Sequence, residues 1–273
     1  MLKDITLGQY FPGNSYLHRR DPRTKIIASV LYIVVVFLCQ TLSSFGFLLL
    51  ATAGLIAVSG VPVRILLKSI KPLVFILAFT TVYNVFFHTG DRLLANFGFV
   101  EIYLEGVLYA VMMAVRIVCL LIGSSVILTY TTSPILLTDG LERLLSPLKH
   151  LHLPVHEFAM MMTIALRFIP TLIEETDKIM SAQKARGADF SSGGLIKRAK
   201  SLIPVLIPLF ISAFRRASDL AVAMECRCYR GGSGRTRMTK LTFSLGDAML
   251  LLFIVAMGVA VVLINMFVPG LSL

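Results

Sequence analysis

Two arginines flanked by small residues, Ala185-Arg186-Gly187 and Cys226-Arg227-Cys228, recur 41 positions apart in a 273-residue chain. Each ends a stretch with helical spacing. A guanidinium is permanently charged and offers five N–H donors in a planar fork, so at a helix end it can grip carboxylates or carbonyl oxygens of a partner protein's helix end. That is coupling chemistry and involves no turnover. Motifs for turnover are missing from the sequence. Gly8–Ser15 has the two glycines of a phosphate loop but Asn14 where the lysine must stand, so ATP hydrolysis has to come from elsewhere. There is no nucleophile elbow and no His-Glu-x-x-His, and the chain is not expected to be an enzyme. His150, His152 and His156 are interrupted by Pro154 and lack a companion Cys or carboxylate at metal-site spacing; no metal or cofactor is expected. Cys226 and Cys228 are one residue apart, unlike the usual zinc spacing, and are read as small packing residues.

The elements that must carry these arginines are set by a composition that no soluble domain shares. The chain is 56% hydrophobic and only 15% charged, with a mean hydropathy of +0.83. An all-α integral membrane protein with about five transmembrane helices is expected. Apolar runs predict spans at about Ile26–Leu42, Phe45–Ser59, Leu73–His88, Leu104–Leu128 and Phe243–Val268, set against the roughly 20 residues that a crossing helix needs. All but two of the 26 Lys and Arg residues fall in the N-terminal arm, the Val61–Pro72 loop and Thr131–Thr242. Those segments are expected in the cytoplasm, which puts the N-terminus inside and the C-terminus outside. The net charge of +11 then reports topology first and attraction to anionic lipid second; nucleic acid is not an expected partner. Three regions follow: residues 1–130 as an N-terminal arm with four spans, 131–242 as a cytoplasmic or interfacial coupling module, and 243–273 as a last span.

Within the module, spacing predicts helices at about Ile135–Leu148, Val155–Arg186 and Leu195–Tyr229. Gly187 stops the second and Gly231-Gly232 the third, with a Ser191–Gly194 linker between. Each long helix reaches roughly 45 Å at 1.5 Å per residue. Pro170, Pro204 and Pro208 predict kinks, read either as plain packing or as hinges. Arg116, the one charge deep in a span, needs a partner such as Glu105 or backbone carbonyls; the other reading is a substrate-path residue.

With those residues in view, Asp21-Pro22-Arg23-Thr24-Lys25, Thr131-Thr132-Ser133-Pro134, Ala185-Arg186-Gly187 and Ala223–Gly232 together resemble the transmembrane T component (EcfT/CbiQ family) of energy-coupling factor transporters, in order and over essentially the whole chain. The resemblance implies a scaffold in a bacterial cell membrane. It would join two cytoplasmic ATP-binding-cassette ATPases to one substrate-capture membrane subunit, or to several interchangeable ones, for uptake of vitamins or other micronutrients. Ala185, Arg186 and Gly187 would dock one ATPase, and Cys226, Arg227 and Cys228 the other. The second site departs from the family, with cysteines in place of Ala and Gly, and Cys228 takes a positive φ less freely than glycine. Met160, Met161 and Met162, with Phe168 on the same helix, are read as ordinary core or as an adaptable seat for capture subunits. The alternative is a conventional permease that forms its own solute path.

Overall fold

A computed structural model describes residues 10–87, 93–96, 101–147, 154–190, 194–231 and 241–267. His150, His152 and Gly232 therefore lie outside the described residues. The helices are α1 (Pro22–Leu38), α2 (Leu42–Ser59), α3 (Val63–Ile70), α4 (Val74–Phe87), α5 (Leu104–Ser124), α6 (Pro134–Leu144), α7 (Val155–Ala185), α8 (Leu195–Cys226) and α9 (Leu245–Phe267). A two-stranded antiparallel ribbon, β1 (Leu93–Asn96) and β2 (Glu101–Tyr103), is the β structure among the described residues. The helical architecture is the one read from composition. The described residues fall into two compact units, those of Gly8–Gly140 with Leu241–Leu273, and those of Leu141–Lys240.

Five described helical stretches are long and apolar enough to cross a membrane: Leu42–Ser59, Val63–Phe87, Leu104–Thr129, Val155–Ala185 and Leu245–Phe267. Four of them overlap spans expected from sequence. The fifth is α7, expected to be an interfacial lever, whereas α1 is 17 residues long and a little short of a full crossing. Two differences have local causes. The second span starts earlier than Phe45 because Thr41, just before Leu42, caps the helix in a reciprocal box with Ser44 in its first turn. The Val61–Pro72 segment, expected to be a loop, is mostly helical; Pro62 precedes α3, Leu66 is buried, and Arg64, Lys68 and Lys71 ride on the turns that lead into α4.

In the first unit α1 packs along α5 and α9, and α2 along α5 and α9. Tyr32 is fully buried at their junction. Its hydroxyl donates to the Cys119 carbonyl at 3.0 Å and pairs with the Thr52 hydroxyl at 2.8 Å, so one phenol ties α1 to α5 and α2. Gly123 makes this possible, because a Cβ there would lie 2.3 Å from the Tyr32 ring. Arg116 makes a backbone contact of the kind expected, since its Nη2 donates to the Cys39 carbonyl at 2.6 Å and its guanidinium lies over the Phe45 ring, while its Nε is buried with no hydrogen-bond partner among the described residues. A cation thus closes the C-terminal end of α1, where the helix dipole favours positive charge.

At the opposite end of α1 the motif Asp21–Lys25 forms a buried polar clasp. Asp21 caps α1 by accepting from the Arg23 backbone N–H, and its carboxylate pairs with the Arg23 guanidinium at 2.7 Å. Asp247, buried at the start of α9, accepts from the Asp21 N–H at 2.9 Å and from the Ser244 N–H at 2.7 Å. Lys25 is buried too, and its Nζ donates to the Thr131 carbonyl at 2.8 Å. Aspartate and lysine with no solvent access persist only when hydrogen-bonded in this way. The clasp joins the start of α1, the start of α9 and the Thr131–Pro134 turn from which α6 departs.

Candidate functional site

The second unit contains the two arginine signatures. Helices α7 and α8 run as single elements of 31 and 32 residues, with Pro170, Pro204 and Pro208 inside them. Arg216 Nη2 on α8 meets Glu175 Oε2 on α7 at 3.0 Å. Nearer the end of α8, Met224 and Arg227 face Met160, Ile164 and Arg167 of α7 across a cleft. Higher numbers on α8 therefore meet lower numbers on α7, so this stretch is antiparallel. Arg186 follows Glu175 by the same three turns by which Arg227 follows Arg216. Each arginine is thus about 16 Å along its own helix from the shared ion pair, in opposite directions.

Both helices end in the same cap. At α7 the Gly187 N–H donates to the Lys184 carbonyl and the Ala188 N–H to the Gln183 carbonyl. At α8 the Cys228 N–H donates to the Glu225 carbonyl and the Tyr229 N–H to the Met224 carbonyl. This paired pattern is a Schellman motif, which needs a left-handed residue after the last helical one. Gly187 has φ +88° and Cys228 has φ +56°. Arg186 and Arg227 hold the same place before that residue, at φ −87° and −91°. The expected stop of α8 at Gly231-Gly232 does not hold, because the helix ends at Cys226 with Cys228 as the left-handed residue, ahead of Gly231. Ala185, Arg186, Gly187, Cys226, Arg227 and Cys228 are all exposed. Cys226 and Cys228 therefore do not pack within this chain, whereas Cys39 and Cys119 are buried.

A side chain in the left-handed region costs roughly 1–2 kcal/mol relative to glycine. Cys228→Gly is accordingly expected to stabilise the end of α8 by about 1 kcal/mol, seen as slower backbone amide exchange at Cys228 and Tyr229. Unchanged exchange there would mean that the cap is not strained.

The methionines divide. Met160 lines a cleft of about 610 Å³ together with Arg167, Met224, Arg227, Tyr229 and Arg230. Met161 and Met162 are exposed, and Phe168 is half-buried. His156 pairs with Glu142 at 3.0 Å, a carboxylate partner fourteen residues away that spacing did not suggest. Among the described residues no group of three or more His, Cys, Asp or Glu side chains converges. The arrangement offers two equivalent, rigidly capped cationic tips and one arginine-lined cleft, which suit the gripping of acidic or carbonyl-rich partner surfaces.

Comparison with known proteins gives a consistent result. The CbiQ family, described as cobalt transport protein, matches residues 13–240. Proteins named energy-coupling factor transporter transmembrane protein EcfT are similar along their length. The one from Acidaminococcus fermentans is 53% identical over 270 residues, 99% of this chain and all of the relative. That from Ruminiclostridium cellulolyticum is 55% identical over 249 residues, 91% of this chain and 92% of the relative. That from Bacillus subtilis is 44% identical over 258 residues, 94% and 97% respectively.

Proposed function

The chain belongs to the family of energy-coupling factor transporter transmembrane proteins, and from that premise we propose that it is a scaffold that couples two cytoplasmic ATP-binding-cassette ATPases to a substrate-capture membrane subunit. One observation carries the reading: two exposed arginines sit before identical caps, at equal distances from one ion pair. Two equivalent tips suit two similar partners. Each arginine anchors one ATPase by charge-assisted hydrogen bonds, and the long helices carry the approach of the ATPases to the capture subunit. Energy for uptake of a vitamin or other micronutrient comes from the partners, and this chain supplies no catalysis. A permease with its own solute path has little support, because the intramembrane cation Arg116 is engaged with the Cys39 carbonyl.

The test is purification of the chain from its native membrane with identification of the bound proteins by mass. Two ATPases and a small membrane protein are expected, and isolation without ATPases would defeat the reading. Within the same experiment, Met161→Asp with Met162→Asp is expected to deplete the capture subunit and retain the ATPases. Met160 is left intact because it lines the cleft beside Arg227. Loss of both partners together would mean that this face is not a seat for the capture subunit.

For topology, we place the N-terminus and the α7–α8 pair in the cytoplasm and the C-terminus outside, which makes α7 a non-spanning helix despite its length. Glu157, Arg167, Glu174, Glu175, Asp177 and Lys178 along it disfavour a place in hydrocarbon. Single cysteines at Ser43, Asn96 and Ser272 in a cysteine-free chain should react with an impermeant thiol reagent added outside intact cells, and one at Ser192 should not. Labelling at Ser192 would overturn this orientation.

A further inference from the structure

The two tips share a backbone but differ in the residues beside the arginine. The α7 tip builds its cap with Ala185 and Gly187, and the α8 tip builds the same cap with Cys226 and Cys228. The fold does not require thiols at these positions, and at Cys228 it holds one at φ +56°, where a side chain is disfavoured. Both thiols are exposed and flank Arg227, with Arg167 and Arg230 lining the adjoining cleft. Exposed, electropositive surroundings are where reactive cysteines occur, and unneeded surface thiols are a liability. The other two cysteines, Cys39 and Cys119, are buried.

We propose that Cys226 and Cys228 form a peroxide-sensitive dithiol whose oxidation to a disulfide in the free chain prevents the α8 tip from docking its ATPase. The loss of docking rests on the docking role given to Arg227 above. In the first step a thiol attacks hydrogen peroxide, giving a sulfenic acid and one water. The second thiol then attacks the sulfenic sulfur, forming the S–S bond and expelling a second water. Two electrons pass from the two thiols to the peroxide, and a dithiol reductant reverses the change.

The effect on the tip follows from the cap. Cys226 is the last residue of α8 and Cys228 is the left-handed residue beyond it, with Arg227 between them. Two residues apart, their Cα atoms are separated by at most roughly 7 Å, at the edge of disulfide reach, and bonding requires both side chains to turn toward each other across Arg227. Closing the bond therefore pulls Cys226 and Cys228 out of the conformation that makes the cap. The Cys228 N–H to Glu225 and Tyr229 N–H to Met224 hydrogen bonds are lost, and Arg227, caught between the sulfurs, loses its docking geometry. Strained, exposed disulfides are the labile and regulatory ones. The α7 tip has no cysteine, so oxidation acts on one ATPase site and spares the other.

The experiment uses the full chain in membrane vesicles, treated with hydrogen peroxide and then with catalase before the native ATPases are added. Each chain is compared with its own untreated sample. For the wild type, a peptide covering both cysteines should be lighter by two hydrogen atoms, bound ATPase should fall by about half, and dithiothreitol should restore both. Cys226→Ala with Cys228→Gly, which copies the α7 signature, should show no change on peroxide treatment. The inference fails if the peptide mass is unchanged, if the disulfide forms without loss of ATPase, or if wild type and variant respond alike. Untreated Arg227→Glu separates this from the docking reading. If that variant still binds both ATPases the docking role is wrong, whereas normal loss on Arg227→Glu with a peroxide-inert wild type defeats only the switch.

Discussion

Arg186→Glu and Arg227→Glu are each expected to weaken binding of one ATPase, at the altered tip, by about 30-fold to several thousandfold, leaving the other ATPase bound and lowering transport sharply. Removing one side of a buried charged hydrogen bond costs about 2–5 kcal/mol, and each 1.4 kcal/mol is tenfold in affinity. Both arginines are exposed in the free chain, so under the proposed docking each guanidinium would become buried only on binding. Charge reversal also places a carboxylate against an acceptor chosen for a cation. Membrane insertion should persist, since neither residue belongs to a span and neither supports the unit's interior. Lys178→Glu and Lys197→Glu, on the same helices and equally exposed, serve as comparators. Exposed pairs contribute about 0–1 kcal/mol, so these changes should be mild. Four equally severe effects would indicate general positive charge, and four mild ones would remove the tips as docking sites.

Asp247→Leu is expected to destabilise the membrane unit by about 4 kcal/mol. Its carboxylate accepts two backbone N–H groups, from Asp21 and Ser244, and hydrogen bonds to charged groups contribute about 1.5–3 kcal/mol each. Leucine leaves the buried Asp21 N–H without a partner and removes the acceptor of the more exposed Ser244 N–H. Asp247→Asn keeps one acceptor oxygen and should lose about half as much. Denaturant titration in detergent, with equal slopes for all variants, measures the difference. A leucine variant as stable as the wild type would mean that the clasp is not what holds α9 to α1. Because the clasp also holds Thr131 through Lys25, the loss should spread to the turn from which α6 leaves.

What could be read from the chain alone follows the range of the forces involved. The ends of α7 and α8 fall within three residues of their expected places because helical spacing and the Ala-Arg-Gly stop are local signals. The two signatures, 41 residues apart, set Cys228 in the place of Gly187, but Gly231-Gly232 is the stronger local stop signal and a cysteine is an unfavourable left-handed residue, so the expected end of α8 lies three residues beyond the observed one. The same offset relates Glu175 to Arg216, so the ion pair between the helices was also encoded, but only as a repeat. Asp21 and Lys25 stood out as a motif, yet their attachments to Asp247 and Thr131 could not, since those partners lie over a hundred residues away. Arg116 was expected to need a carbonyl or carboxylate, and which carbonyl it found depends on how α5 crosses the end of α1. The division of Met160 from Met161 and Met162 depends on the approach of α8, which no pattern within α7 records.

The central claim is that the two tips are separate anchors, one for each ATPase, and native mass spectrometry of the detergent-solubilised complex tests it most directly by counting bound subunits. The wild type should carry two ATPases, Arg186→Glu and Arg227→Glu one each, and the double variant none. Retention of both ATPases by the double variant, or loss of both from either single variant, would contradict two independent docking tips.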